Sequence, residues 1–160
     1  QKWTEIKKEN PHLKLHLIGR LQTNKVKMAL KLFDYIHSLD NEKLARKISD
    51  EQKKHKIETK LFIQVNIGNE PQKNGIHVNK LEEFYNYCIK LNLNIVGIMC
   101  IPPINEDPEV SFLRMNFLKK KMNFKELSMG MSSDYLDAIQ NNSTFLRIGS
   151  EIFGQRSEKL

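Results

Sequence analysis

The sequence predicts an α/β protein built on a parallel sheet. Short apolar runs rich in β-branched residues alternate with longer stretches of helical period. The alternation continues through the chain as βαβαβαβαβαβ, and units of this size demand right-handed crossovers and parallel strands. Small residues gather where the last two strands give way to helices.

Taken in order, Lys2 to Glu9 reads as the tail of a helix, with Trp3 and Ile6 three apart. Leu15-His16-Leu17-Ile18 is the first strand, closed by Gly19. Val26, Ala29, Leu30 and Phe33 then recur at helical spacing. Tyr35-Ile36-His37 is a shorter strand. Asp40 is placed to cap a helix with Leu44, Ile48 and the stem of Gln52 on its inner face. Leu61 to Asn66 is a strong strand, followed by a polar loop from Gly68 to Gly75. Asn79 is placed to cap a helix whose apolar face holds Leu81, Phe84, Cys88 and Leu91. Asn94 to Met99 is a strand stopped by Pro102-Pro103. Val110, Leu113, Phe117 and Phe124 mark the next helix, and Leu127-Ser128-Met129 the next strand. Ser133 or Asp134 opens a helix carrying Leu136 and Ile139. Phe145 to Ile148 is the last strand, and Gly149-Ser150 leads into a final turn. Six strands are visible, with no linker and no repeat. An open doubly wound sheet and a closed β/α barrel both fit this order, and the closed barrel needs eight strands and about 250 residues.

Composition excludes several classes. The 160 residues are 39% hydrophobic and 28% charged, a soluble globular balance in one domain spanning residues 1–160. No stretch approaches the roughly 20 apolar residues of a membrane span, and no signal segment opens the chain. The net charge of +7 comes from lysines scattered over helix faces with no aromatic platform between them, which argues against nucleic acid as partner. Cys88 and Cys100 lie 12 apart with no ligand at metal-binding spacing, so no metal is expected. They read as buried thiols in a reducing, cytoplasmic setting. Because Gln1 rather than Met comes first, the sequence is expected to begin partway through a longer product.

Common catalytic signatures (GxSxG, HExxH, a Walker loop) do not occur. His16 and His37, each within a strand, read as packed side chains. The informative segment is Leu127-Ser128-Met129-Gly130-Met131-Ser132-Ser133-Asp134, joined 13 residues after Asp134 by Arg147-Ile148-Gly149-Ser150-Glu151-Ile152-Phe153-Gly154. Glycine and serine at a strand end let a phosphate approach backbone N–H groups and add a hydroxyl donor. Two consecutive βα loops of this kind make the phosphate cup that barrels form after their last two strands. Arg147, in the middle of an apolar strand, must face inward or pair with a carboxylate, because an unpaired buried charge is expensive.

Four stretches together resemble a known family. They are His16-Leu17-Ile18-Gly19-Arg20-Leu21-Gln22-Thr23-Asn24-Lys25; Gln64 to Ile67 with its loop to Ile76; Gly97-Ile98-Met99-Cys100-Ile101-Pro102-Pro103; and the segment from Leu127 to Arg156. The chain resembles the pyridoxal phosphate homeostasis proteins, whose barrel is of the alanine racemase N-terminal-domain type. The resemblance implies a partial (β/α)8 TIM barrel with strands three to eight present and the first two missing, or about three quarters of the domain. It implies pyridoxal 5'-phosphate as cofactor and a role in its intracellular homeostasis without catalysis. An amino-acid racemase and a non-functional remnant of a split gene are the alternatives.

The resemblance also assigns residues. The phosphate falls to Ser132, Gly149 and Ser150, largely through backbone N–H groups. Arg147 faces the pyridine nitrogen, and Met99, Asn66 and His16 face the same cavity. A guanidinium has no lone pair to accept the ring-nitrogen proton, so the ring is a weak electron sink, which suits a carrier. The family's Schiff-base lysine lies in a strand ahead of the His16 stretch, and Lys2, Lys7, Lys8 and Lys14 do not stand in that context. Weak, non-covalent binding is therefore expected. So is a mostly monomeric protein, with a complementing N-terminal fragment as a conceivable partner. An open remnant with exposed sheet edges predicts marginal stability.

Overall fold

In the computed structural model, residues 2–154 are described; Arg156, the end of the segment singled out above, lies outside them. The helices are α1 (Lys2–Glu9), α2 (Val26–Leu32), α3 (Glu42–His55), α4 (Leu81–Lys90), α5 (Pro108–Lys121), α6 (Tyr135–Gln140) and α7 (Ser150–Phe153). The strands are β1 (His16–Leu17), β2 (Tyr35–Leu39), β3 (Lys60–Asn66), β4 (Ile76–His77), β5 (Ile95–Cys100), β6 (Glu126–Met131) and β7 (Phe145–Arg147). All pair in parallel in the order β1-β2-β3-β5-β6-β7. β4 is a two-residue bridge onto the end of β3, just past the polar loop, where the sequence reading places no strand.

The strand order decides between the two architectures. A doubly wound sheet reverses direction at a switch point, whereas here the main strands follow chain order without reversal. The sheet also curls. The ring of His16 on one edge strand lies 5.6 Å from the ring of Phe145 on the other. The result is a six-stranded parallel half-barrel.

Both faces of the curled sheet are buried, which is why its strands read as nearly continuous apolar runs. On the convex face Ile36, Leu61, Ile63, Val65, Ile98, Cys100, Leu127 and Met129 join one core with Leu44, Ile48, Phe84, Phe112 and Met115 of the helices. Alternate residues face the concave side, where Tyr35, His37, Phe62 and Phe145 pack ring on ring. Gly97 lets β5 and β6 approach, since a Cβ there would be driven into the Glu126 carbonyl oxygen.

Three sequence expectations need correction. Asn41, not Asp40, caps α3: its side-chain oxygen accepts the Leu44 N–H at 2.8 Å, and its amide donates to Asp40 at 2.6 Å. Asn79 caps nothing. It sits inside the 3-10 turn Val78–Lys80, and α4 begins after Lys80 without a side-chain cap. On α5 the buried face is Ser111, Phe112, Met115 and Leu118, while Val110, Leu113 and Phe117 are exposed. That helix is apolar on two sides, so its period alone could not choose the inner one. Phe124 is buried but lies past the helix end, and Leu136 and Ile139 of α6 are exposed.

Candidate functional site

The C-terminal ends of β6 and β7 come together as the small residues suggested. β6 leaves the sheet through Gly130, at φ +92°, a conformation that favours glycine. The turn that follows is closed by Asp134, whose carboxylate accepts the Met131 N–H at 2.6 Å while its own N–H donates to the Met131 carbonyl at 3.1 Å. This turn carries Ser132 against the next loop. Its Oγ accepts the N–H of Gly149 at 3.2 Å and that of Glu151 at 3.4 Å. Two backbone donors thus converge on one oxygen. Gly149 and Ser150 are exposed, and a Cβ built on Gly149 meets nothing within 4 Å. A cavity of about 520 Å³ opens beside this turn, with Lys73, Pro102, Met131, Ser133 and Asp134 among its walls. Lys73 is held there by Glu70 at 2.6 Å and the Pro102 carbonyl at 3.1 Å.

Arg147, the last residue of β7, points into the concave side and has no carboxylate partner among the described residues. Its guanidinium donates to Ser128 Oγ at 2.9 Å and to the Cys100 carbonyl at 2.8 Å. Ser128 Oγ in turn lies 2.9 Å from His37 Nδ1, and His37 Nε2 lies 3.0 Å from His16 Nδ1. The rings are clamped: His37 stacks on Phe62 at 4.2 Å and His16 on Tyr35 at 4.3 Å. Burial, with His16 and the Arg147 charge adding to it, pushes His37 down to about 3. Burial lowers His16 as well, against an upward pull from Asp34. Burial drives the Cys100 thiol beneath Arg147 up to about 12.

Of the residues singled out from the sequence, Ser132 and Gly149 meet directly, and Ser150 is the first residue of the helix they open. Arg147 is two residues away, and His16 reaches it through His37 and Ser128. Met99 is fully buried and stands beside Ser128 in the sheet register. Asn66 is turned to another task. Its amide donates to the Glu70 carbonyl at 2.8 Å and its oxygen accepts the Glu70 N–H at 3.1 Å, which fastens the loop after β3. Ser128 and His37 were not singled out as site residues. Ser128 interrupts an apolar strand at the same two-residue period that turns side chains away from the helices, which is the signal that could have found it.

The model of the alanine racemase N-terminal domain matches residues 4–157. The chain belongs to that family. Its relatives there include the pyridoxal phosphate homeostasis proteins of Aquifex aeolicus, 39% identical over 154 residues, and of Pasteurella multocida, 35% identical over 159 residues. These alignments take in 90% and 92% of this chain and 68% of each relative; for the Vibrio cholerae protein the share is 65%. Among solved structures, PipY of Synechococcus elongatus with pyridoxal phosphate bound superposes with a TM-score of 0.84 at 30% identity, over 94% of this chain and 75% of PipY. An alanine racemase of Clostridium difficile shares the fold, with a TM-score of 0.71 at 14% identity over 98% of this chain and 44% of the racemase. Among the described residues no helix is long and apolar enough to cross a membrane, and no cluster of ligating side chains could hold a metal ion.

Proposed function

We propose that this chain binds pyridoxal 5'-phosphate at the ends of β6 and β7 and serves the intracellular homeostasis of that cofactor as a carrier rather than a catalyst. The observation that carries the reading is the convergence of the Gly149 and Glu151 N–H groups on one oxygen, beside open space at Gly149. A phosphate oxygen has the size and charge to take the place of Ser132 Oγ there, and Ser132 and Ser150 can each add a hydroxyl donor. The PipY structure with the cofactor and the names of the relatives point the same way.

Arg147 is the residue for the ring nitrogen. The cofactor, when bound, supplies electron withdrawal in proportion to the protonation of that nitrogen. Arg147 only donates hydrogen bonds, so it leaves the nitrogen unprotonated and the withdrawal weak. The phosphate and ring contacts named here are non-covalent, and binding through them is weaker than through a covalent lysine link. Two buried free thiols, Cys88 and Cys100, suit a reducing cytoplasm.

Equilibrium dialysis of the purified chain against pyridoxal 5'-phosphate and against pyridoxal tests the reading. The phosphorylated form is expected to be retained and pyridoxal to pass freely. Equal retention of the two forms, or of neither, would refute it.

A further inference from the structure

The concave side of the half-barrel holds a row of polar groups that the phosphate contacts do not use. From β7 to β1 the row runs Arg147, Ser128, His37, His16, with separations of 2.9, 2.9 and 3.0 Å. It crosses the floor of the sheet and draws one residue each from four strands.

Hydrogen-bond chemistry gives this row a direction. A guanidinium has only donors, so at the Arg147 contact Ser128 Oγ must accept. The Ser128 hydroxyl then has one hydrogen to place, and His37 Nδ1 is the acceptor within reach. His37 Nδ1 must therefore be bare, and a neutral imidazole with a bare Nδ1 carries its proton on Nε2. That proton meets His16 Nδ1, which must also be bare. In the reverse arrangement Ser128 would accept from both sides, and its own hydrogen would have no acceptor among the hydrogen bonds of the described residues. A buried unpaired donor costs about 1–3 kcal/mol, so the directed arrangement prevails.

We infer that His37 and Ser128 are positioning residues: they form a directed relay, from Arg147 to His16, that fixes the Arg147 guanidinium for the cofactor ring. This rests on the cofactor reading above only for the identity of the ring. The stacking of His37 on Phe62 and of His16 on Tyr35 holds the two ring planes in place, so the hydrogen-bond partners at each nitrogen select the tautomer. The charged and titratable groups around the relay are Arg147 itself, with Cys100 and Asp134 on its side, and Asp34 and Tyr35 on the His16 side. The low proton affinity of His37 keeps the row neutral up to the guanidinium.

Nitrogen-15 NMR of histidine-labelled protein, without any cofactor, reads the tautomers directly. His37 is expected as the neutral Nε2–H form at pH 7, with Nδ1 shifted as a hydrogen-bond acceptor. An Nδ1–H tautomer, a cationic ring or free averaging of the two nitrogens would overturn the relay. Ser128→Ala is expected to remove the hydrogen-bond shift of His37 Nδ1. On the binding side, His37→Phe keeps the stacked ring and deletes both nitrogens, and pyridoxal phosphate retention is expected to fall roughly tenfold. His37→Asn restores an acceptor near the Nδ1 position and is expected to recover most of that loss. Wild-type retention by a folded His37→Phe, or no recovery by His37→Asn, would overturn the positioning role. If His37→Phe does not fold, the wild-type spectrum and the comparison of His37→Asn with wild type still decide. A wild-type chain with the expected tautomers that retains no pyridoxal phosphate would refute the cofactor reading and leave the relay standing.

Discussion

Gly149→Ala separates the fold from the phosphate site with one methyl group. In the protein alone, the added Cβ meets no atom within 4 Å, and Gly149 lies in an exposed loop. With no contact broken and none forced, the change in unfolding free energy is expected to stay within about 0.5 kcal/mol, the range of surface substitutions away from special features. A bound phosphate changes that balance. The methyl would take up open space beside the loop, where a phosphate accepting the Gly149 N–H would place its remaining oxygens. Losing one hydrogen bond to a charged acceptor is worth about 1.5–3 kcal/mol, which is roughly a 10- to 100-fold loss of affinity. Urea unfolding without ligand measures the first quantity, and dialysis against pyridoxal phosphate the second. Unchanged affinity would place the phosphate elsewhere. A loss of stability as large as the loss of affinity would show that Gly149 matters to the loop itself.

Three further outcomes follow from the same structure. Gly97→Ala must force β5 away from the Glu126 carbonyl, and backbone cannot yield as a side-chain tip does; a loss of about 3 kcal/mol or more is expected in urea unfolding, with wild-type stability the contrary result. His37 titrates at about 3 in the fold, against 6.5 when unperturbed, so below pH 6.5 the unfolded chain takes up a proton that the folded one refuses. Stability is then unaffected by His37 above about pH 6.5 and falls by up to ~1.4 kcal/mol per pH unit between there and about 3; urea midpoints measured from pH 7 to 4 should show a steeper slope in wild type than in His37→Asn. Cys88 and Cys100 are both buried, and burial pushes each thiol to about 12. Neither should react with a thiol reagent at pH 8 until the protein is unfolded, when both should.

Much of this fold was legible because its sheet is buried on both faces. Strands such as Leu61–Asn66 and Asn94–Met99 then read as nearly continuous apolar runs, distinct from helices by length and β-branching. The two-residue strand Ile76–His77 left no such trace, since two residues show no period. Phe117 and Phe112 are equally apolar, and only the packing of α5 on the sheet decided which went inside. The site divided in the same way. Arg147 and the small residues Ser132, Gly149 and Ser150 stood out because charge in an apolar strand and glycine at a strand end are locally unusual. His37 and Ser128 did not stand out as a pair, because a histidine and a serine 91 residues apart acquire meaning only once the sheet curls and brings them within 2.9 Å. Between the two edge strands the concave face holds the packed rings of His16, Tyr35, His37, Phe62 and Phe145.

The reach of Arg147 to the Cys100 carbonyl makes it a latch on the sheet. β7 is three residues long and hydrogen-bonded on one side, to β6. By itself such a strand frays easily, but Arg147 extends over β6 to fasten it to the end of β5. A molecule that engages the remaining guanidinium N–H groups favours the latched over the frayed state, and by mass action it tightens the whole edge. Occupancy at the guanidinium is then legible at a distance, as slower amide exchange at Leu146 and Arg147. Reciprocally, whatever pries β7 loose opens the site.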